Sequence, residues 1–456
     1  MNRSFCEECF KKQQIIDKLT EENTCLKSKL HYQERKADEG FFGSSTPSSK
    51  IPIKANTDKQ NERKRGGAKP GHKGHGRKAV TEATAEFVIE LETGEKCPRC
   101  GGDRLEDRGI RERTVLESKP VKAQKILYRL RRKRCLDCRR IFQAETPGVL
   151  PKSLYGNQII THIAVMHYLH GISLGRIEAQ LGVPFSALVQ ILHRLARLFS
   201  KVPARLIEQY RQSAVRHADE TSWRTDGRSG YAWLFATEKI SLFQFKKTRS
   251  SEVPKRIFGP DPLPGVLVVD RYAGYNKVPC AIQYCYAHLL REVQDLEKEF
   301  PDDSEVAAFV GTVAPLLSLA MGLKMQKISD KQFYRKAAQS KAQLVSAMNR
   351  QAKHMGIRRI QDIFREKEKR LYHWAQNRDV PAHNNLAERD LRPTVIARKV
   401  SFGSQSDEGA KTREILMTVL HTLKKQSINL EADFKAVLDQ LAKNIKTDPY
   451  QILFDK

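Results

Sequence analysis

The sequence is short of negative charge: 53 Asp plus Glu stand against 81 Lys plus Arg in 456 residues, a net charge of +28. An excess of that size favours a polyanionic partner, nucleic acid ahead of an anionic membrane. The chain also lacks an apolar stretch at its start. MNRSFCEECFKKQQII has acids and bases where a secretory leader needs an apolar core, so no such leader is expected and a cytoplasmic protein is the expectation. Long apolar runs are scarce. One charge-free run, Val306 to Leu323, has the length to span a bilayer, but its Thr312, Pro315, Ser318 and two glycines suit a buried helix better, so no membrane is expected. Nine cysteines in so long a chain fit a reducing compartment with metal sites better than a disulfide framework.

The cysteines are grouped. Cys97-Pro98-Arg99-Cys100 and Cys135-Leu136-Asp137-Cys138 are two CxxC knuckles, together able to supply four thiolates to one structural zinc ion. LYRLRRKRC alternates like a hairpin strand leading into the second knuckle. A third knuckle, Cys6-Glu7-Glu8-Cys9, has no partner pair. It precedes Ile16, Leu19, Asn23, Leu26 and Leu30, spaced alternately by three and four as in a short two-stranded coiled coil with Asn at one seam position. In a parallel pair, two Cys6/Cys9 knuckles could share one zinc; a packed amphipathic helix is the plainer reading.

Between coil and knuckles, Lys59 to Lys78 carries eight basic residues and one acid, with glycines and Pro70 opposing a helix. It reads as a tether and as a phosphate-gripping arm, with Lys64, Arg65, Lys69, Lys73 and Arg77 as contacts. Farther on, LGRIEAQL and FSALVQILHRL flank Gly182-Val183-Pro184, the layout of a helix-turn-helix. Arg176, Ser186, Gln190 and Arg194 are its candidate DNA contacts, and a plain helical hairpin is the alternative.

In this basic chain, RHADETSW (Arg216 to Trp223) sets two acids side by side. SAVRHADET, YAWLFAT and SLFQFK read as a three-stranded meander turning at Asp226-Gly227. PGVLVVD is a buried strand ending in Asp270, and HNNLAERDLRP opens a helix carrying Glu388. Three carboxylates from two strand ends and a helix can hold two divalent ions, which clamp the attacking and leaving oxygens of a phosphodiester displacement. Singly, each acid has a plain reading as a turn, cap or ion-pair residue. Strand alternation turns Glu220 away from Asp219.

HADET, DRYAGYN and NNLAERDLRP followed by ARKVSFGS resemble the catalytic core of IS66-family insertion-sequence transposases. The coil, GAKPGHKGHGR and CPRCGG extend the likeness over nearly the whole chain. The resemblance implies an α/β RNase H-like catalytic core with an all-α insertion. It implies a DDE triad of Asp219, Asp270 and Glu388 using Mg²⁺ or Mn²⁺, with His288 of the CxxH-like Cys285–His288 element at the active site. The expected order is coil (1–40), basic arm (41–80), zinc-ribbon-like module (81–150) and helix-turn-helix (151–200). The core follows at 201–288 and 376–456, split by a helical insertion at 289–375. The implied activity is metal-dependent cleavage and strand transfer at terminal inverted repeats, by a homodimer or higher oligomer aided by accessory proteins of the same element. A non-catalytic DNA-binding protein, either a repressor or a domesticated transposase, is the alternative, and a nuclease for RNA–DNA hybrids is a third reading that leaves the N-terminal half unexplained.

Overall fold

The structure is a computed structural model that describes residues 7–39, 83, 123–134, 141–143 and 146–455. The chain divides into two compact units, residues 1–52 with 123–456 and residues 53–122. Cys97, Cys100, Cys135, Cys138, Lys64, Arg65, Lys69, Lys73 and Arg77, named above as zinc and DNA contacts, lie outside the described residues, as does Cys6.

Helix α1 (Glu7–Glu39) runs for 33 residues. Its candidate seam is open to solvent: Ile16, Leu19, Asn23, Leu26 and Leu30 are all exposed. Strands β1 (Arg132–Arg134) and β2 (Ile141–Gln143) pair antiparallel, Arg132 opposite Gln143, and bracket the second CxxC in sequence.

Four helices follow: α2 (Asn157–Tyr168), α3 (Leu174–Leu181), α4 (Phe185–Leu198) and α5 (Val202–Gln212). Helix α3 stops because Gly182 adopts a left-handed φ of 66° and returns its N–H to the Glu178 carbonyl. Pro184 then opens α4, which buries Leu188, Ile191, Leu192 and Leu195. The helix–turn–helix layout is therefore present, but it is no free-standing module. Helix α4 packs on α13 (Asp407–Gln426) and α2 on α14 (Leu430–Lys443), within one continuous core.

The sheet holds β3 (Val215–Thr225), β4 (Arg228–Ala236), β5 (Ser241–Lys246), β6 (Val266–Val269) and β7 (Ala281–Tyr284), in the order β5-β4-β3-β6-β7. The first three form the antiparallel meander expected from the sequence, while β6 and β7 join parallel to β3. Asp226 and Gly227 both take positive φ, 53° and 69°, as a two-residue hairpin matching strand twist requires. Both faces of the sheet are covered, which explains why β3 is buried almost continuously from Arg216 to Thr221. Helix α6 (Glu252–Phe258) connects β5 to β6. Gly265, before β6, is a position of necessity: with φ 78°, a Cβ there would fall 2.2 Å from the Ala214 carbonyl oxygen.

After β7 come α7 (Tyr286–Glu299), α8 (Ser304–Leu323), α9 (Asp330–Asn349), α10 (Met355–Glu366) and α11 (His373–Gln376), with no strand among these described residues. Helix α8 has the length and apolarity to cross a membrane, yet it buries Val306, Val310, Val313, Leu317, Ala320 and Leu323 while packing between α7 and α9. Helices α12 (Asn385–Ser401), α13, α14 and α15 (Pro449–Phe454) complete the chain. Helix α12 lies across β3 and β4, and α13 covers β5.

Candidate active site

Register positions the two aspartates. Strands β3 and β6 pair Val215 with Val266, Arg216 with Leu267 and His217 with Val268. Two residues farther along, the same register sets Asp219 beside Asp270, which directly follows β6. Strand β7 extends the row, since Val269 pairs with Tyr284 and the N–H of Cys285 donates to the Val269 carbonyl at 2.8 Å. Asp219 on β3, Asp270 just past β6 and Cys285 just past β7 thus stand at neighbouring positions across three parallel strands.

Alternation decides what each side chain of RHADETSW meets, because residues two apart share a face. On one face, His217 Nδ1 contacts Asn384 Oδ1 at 2.9 Å, and Thr221 Oγ1 accepts from Arg398 at 2.9 Å. Both partners flank or belong to α12, so Asp219, between His217 and Thr221, shares the face that α12 covers. Asn384 is the N-cap residue of that helix and also donates Nδ2–H to the Ala218 carbonyl at 2.8 Å. Glu388 lies one turn farther in, its N–H bonded to the Asn384 carbonyl.

Glu220 meets the opposite face. It is fully buried and holds Arg249 through Nε at 2.9 Å and Nη2 at 2.6 Å, while the Tyr275 hydroxyl donates to its other oxygen at 2.5 Å. The puzzle of the paired acids resolves by face: Asp219 looks to α12, and Glu220 anchors a buried ion pair.

Both aspartates are buried. Asp219 is 3% exposed, and its Oδ1 accepts the Glu220 N–H at 2.9 Å. Asp270 accepts the Tyr272 N–H at 2.9 Å, yet burial, reinforced by the charge of Glu220, pushes its carboxyl up to about 7. Glu388 Oε2 lies 3.7 Å from Arg291 Nη2, and Oε1 is buried without a hydrogen-bond partner. Both ring nitrogens of His288 are likewise buried and unpartnered, and burial holds that imidazole down to about 3. Among the described residues, the ligand atoms that gather within 4.8 Å are those of Cys285, His288 and Glu388, not those of Asp219, Asp270 and Glu388. His288 thus stands beside Cys285 and Glu388.

The candidate DNA contacts on α3 and α4 differ in what they do. Arg176, Ser186 and Gln190 are all exposed. Arg194 donates to the carbonyls of Pro151 and Lys152, bracing the segment before α2 instead of pointing free. Sequence reasoning passed over Asn384, which ties β3 to α12, and the Arg249–Tyr275 pair that claims Glu220. The doubled Asn in HNNLAERD was the available sign of a buried amide at a helix start.

Residues 152–412 match the family described as "Transposase IS66 family", more than half of the sequence. The chain belongs to the IS66 transposase family. Two relatives from Sinorhizobium fredii (strain NBRC 101917 / NGR234) are similar to it. "Uncharacterized protein y4qI" is 24% identical over 328 residues, 63% of this chain and 60% of that protein. "Uncharacterized protein y4hP" is 22% identical over 415 residues, 80% of this chain and 74% of that protein. The chain thus spans less than two thirds of the first relative's length.

For this IS66-family chain, Asn384→Ala removes contacts to His217 and the Ala218 carbonyl, and should cost about 2–3 kcal/mol with buried groups left unpaired. If Asn384 positions Glu388, cleavage should fall roughly 10–100-fold, the usual range for a supporting residue. Denaturant titration beside a cleavage assay checks both, and unchanged cleavage would remove Asn384 from that role.

A pH dependence is expected as well. With its carboxyl raised in the fold, Asp270 contributes stability that is fully present below its ordinary value of 3.8 and is lost as pH rises towards 7. An amide at this position cannot ionise, so Asp270→Asn should become progressively more stable than the parent between about pH 4 and 7 in metal-free buffer. The buried histidines titrate alike in both proteins and cancel from the difference. A stability gap that does not widen with pH would contradict this environment for Asp270.

Proposed function

We propose that the protein is a DDE transposase that cleaves DNA at the inverted-repeat ends of its insertion sequence and joins the freed ends to a target. The observation that supports this reading is the parallel register of β3 and β6, which carried two residues on brings Asp219 and Asp270 to neighbouring positions, with Glu388 one turn into α12, the helix that lies across β3. The strand order β5-β4-β3-β6-β7, three antiparallel and two parallel, supports an RNase H-like core.

Asp219, Asp270 and Glu388 offer oxygen only, a donor set suited to Mg²⁺ or Mn²⁺. The raised Asp270 carboxyl and the orphaned Glu388 oxygen are the marks of a site that a cation would complete. Such ions, when bound, stabilise the attacking and leaving oxygens of the displacement. In the first step water forms a bond to phosphorus and the 3′-oxygen leaves as a hydroxyl. In the second, that hydroxyl attacks a target phosphate and displaces the target's own 3′-oxygen. Burial of Asp219 and Asp270 keeps competing water out, and Asn384 and Arg398 hold α12 against β3 during both steps.

The basic arm, the four-cysteine zinc module and α3–α4 are assigned to recognition of the ends, with phosphate contacts carrying most of the affinity. The seam of α1 is assigned to pairing two copies. Leu19→Glu combined with Leu26→Glu puts carboxylates into that seam and should abolish pairing while single-end binding survives. Mobility shifts with one and two labelled ends, beside sedimentation, separate these outcomes, and normal pairing by the double variant would reassign dimerisation elsewhere.

One observation favours the non-catalytic alternative: Glu388 gathers with Cys285 and His288, not with both aspartates. A strand-cleavage and strand-transfer assay on the flanking ends decides. Sequence-specific binding with no cleavage in Mg²⁺ or Mn²⁺ would establish the alternative.

A further inference from the structure

Cys285, His288 and Glu388 approach one another from separate elements. Cys285 directly follows β7, His288 stands in the first turn of α7, and Glu388 in the first turn of α12. A thiol sulfur, an imidazole nitrogen and a carboxylate oxygen lie within 4.8 Å of one another. Cys285 is fully buried, and its sulfur accepts the Asn384 backbone N–H at 3.1 Å. Both nitrogens of His288 and Oε1 of Glu388 are buried with no hydrogen-bond partner. Buried polar groups are almost always satisfied, so three such atoms in one small cluster call for a ligand.

The donor set identifies its class. Magnesium and calcium take oxygen, whereas sulfur with imidazole and one carboxylate suits a borderline-soft ion of the zinc type. Metal–ligand bonds of about 2.0–2.3 Å put tetrahedral ligand atoms roughly 3.3–3.8 Å apart, so the cluster needs to contract by at most about 1.5 Å. Arg291, its guanidinium 3.7 Å from Glu388, and Arg271 put positive charge beside the cluster, so a bound cation has to displace Arg291 from Glu388.

We propose that Cys285, His288 and Glu388 form a binding site for a thiophilic divalent cation, zinc in class, distinct from the oxygen-only site and sharing Glu388 with it. As the sulfur–metal bond forms, the Cys285 thiol releases its proton to water. Three protein ligands leave a fourth position for water. The consequence for activity rests on the DDE reading. One carboxylate cannot serve both ions in full, so zinc occupancy withdraws Glu388 from the triad and holds the enzyme off.

The test uses full-length protein and zinc itself. Equilibrium dialysis compares the parent with Cys285→Ala and with His288→Gln, since the other cysteines are common to all three. Each variant should bind one zinc equivalent fewer, and cobalt substitution should show a thiolate-to-metal band weakened in Cys285→Ala. Circular dichroism confirms folding, and His288→Gln carries the same readout should Cys285→Ala fail to fold. Equal zinc stoichiometry and affinity in parent and folded variants would overturn the site. In Mg²⁺-dependent cleavage, the zinc concentration giving half inhibition should rise at least tenfold in Cys285→Ala relative to the parent. Loss of the equivalent without any cleavage by the parent would uphold the site and defeat the transposase chemistry. Cleavage with unchanged zinc binding would do the reverse.

Discussion

Alanine at Asp219, Asp270 or Glu388 should each lower metal-dependent end cleavage by about 10³-fold or more, the scale on which loss of a charge-stabilising group at a reacting centre is felt. End binding should change little, because binding rests on basic surface and three acids only repel phosphate. The three positions are expected to differ in stability. Asp270→Ala removes a carboxyl that burial disfavours, so the metal-free protein should unfold no more easily at neutral pH. Glu388→Ala leaves Arg291 without its ion pair and should cost little, since that pair is long and partly exposed. Cleavage on radiolabelled ends, with binding measured on the same DNA, checks the set. A variant that cleaves within tenfold of the parent would remove its residue from the triad.

The sheet was legible in the sequence because apolar runs bounded by turn residues are what a sheet covered on both faces produces. YAWLFAT and SLFQFK became β4 and β5, and PGVLVVD became β6 with its acid at the strand end. The helix bearing Glu388 was legible from HNNLAERD. Side-chain pairings between distant segments were not. Nothing near Glu220 in sequence announces Arg249 or Tyr275, and nothing near Asn384 announces Ala218, because these contacts exist only after the sheet has formed. Helix α4 shows the same limit. Its periodicity fits a recognition helix, yet one side is buried against α13 and Arg194 is engaged by carbonyls of residues 151 and 152. Cys285 and His288 were legible as a motif, but that Glu388 joins them is a product of the tertiary fold.

Glu220→Ala should be the most destabilising of the acid-to-alanine changes. Alternation does turn Glu220 from Asp219, so its direct effect on cleavage is smaller than that of the triad, but its surroundings make it indispensable to the core. The carboxylate is fully buried, Arg249 is 12% exposed, and Tyr275 is 1% exposed. Truncation takes the buried carboxylate away from Arg249, which also stacks on Tyr272 and has Asp270 nearby, and from Tyr275, whose ring lies 5.9 Å from that of Trp233. Breaking a buried pair from one side costs about 3–5 kcal/mol, a large share of a total stability of roughly 5–15 kcal/mol. Removing both charges is a different matter. Glu220→Met with Arg249→Met fills the space with apolar volume and should recover most of the loss, because the cost lies in the uncompensated charge more than in the absent attraction. Glu220→Gln keeps an acceptor for Tyr275 and should fall between. The same change relieves Asp270 of a neighbouring negative charge, so its carboxyl should move back towards its ordinary range. Urea midpoints at constant slope order the series. A double variant no more stable than Glu220→Ala would show that packing, not the buried charge, sets the cost at this position.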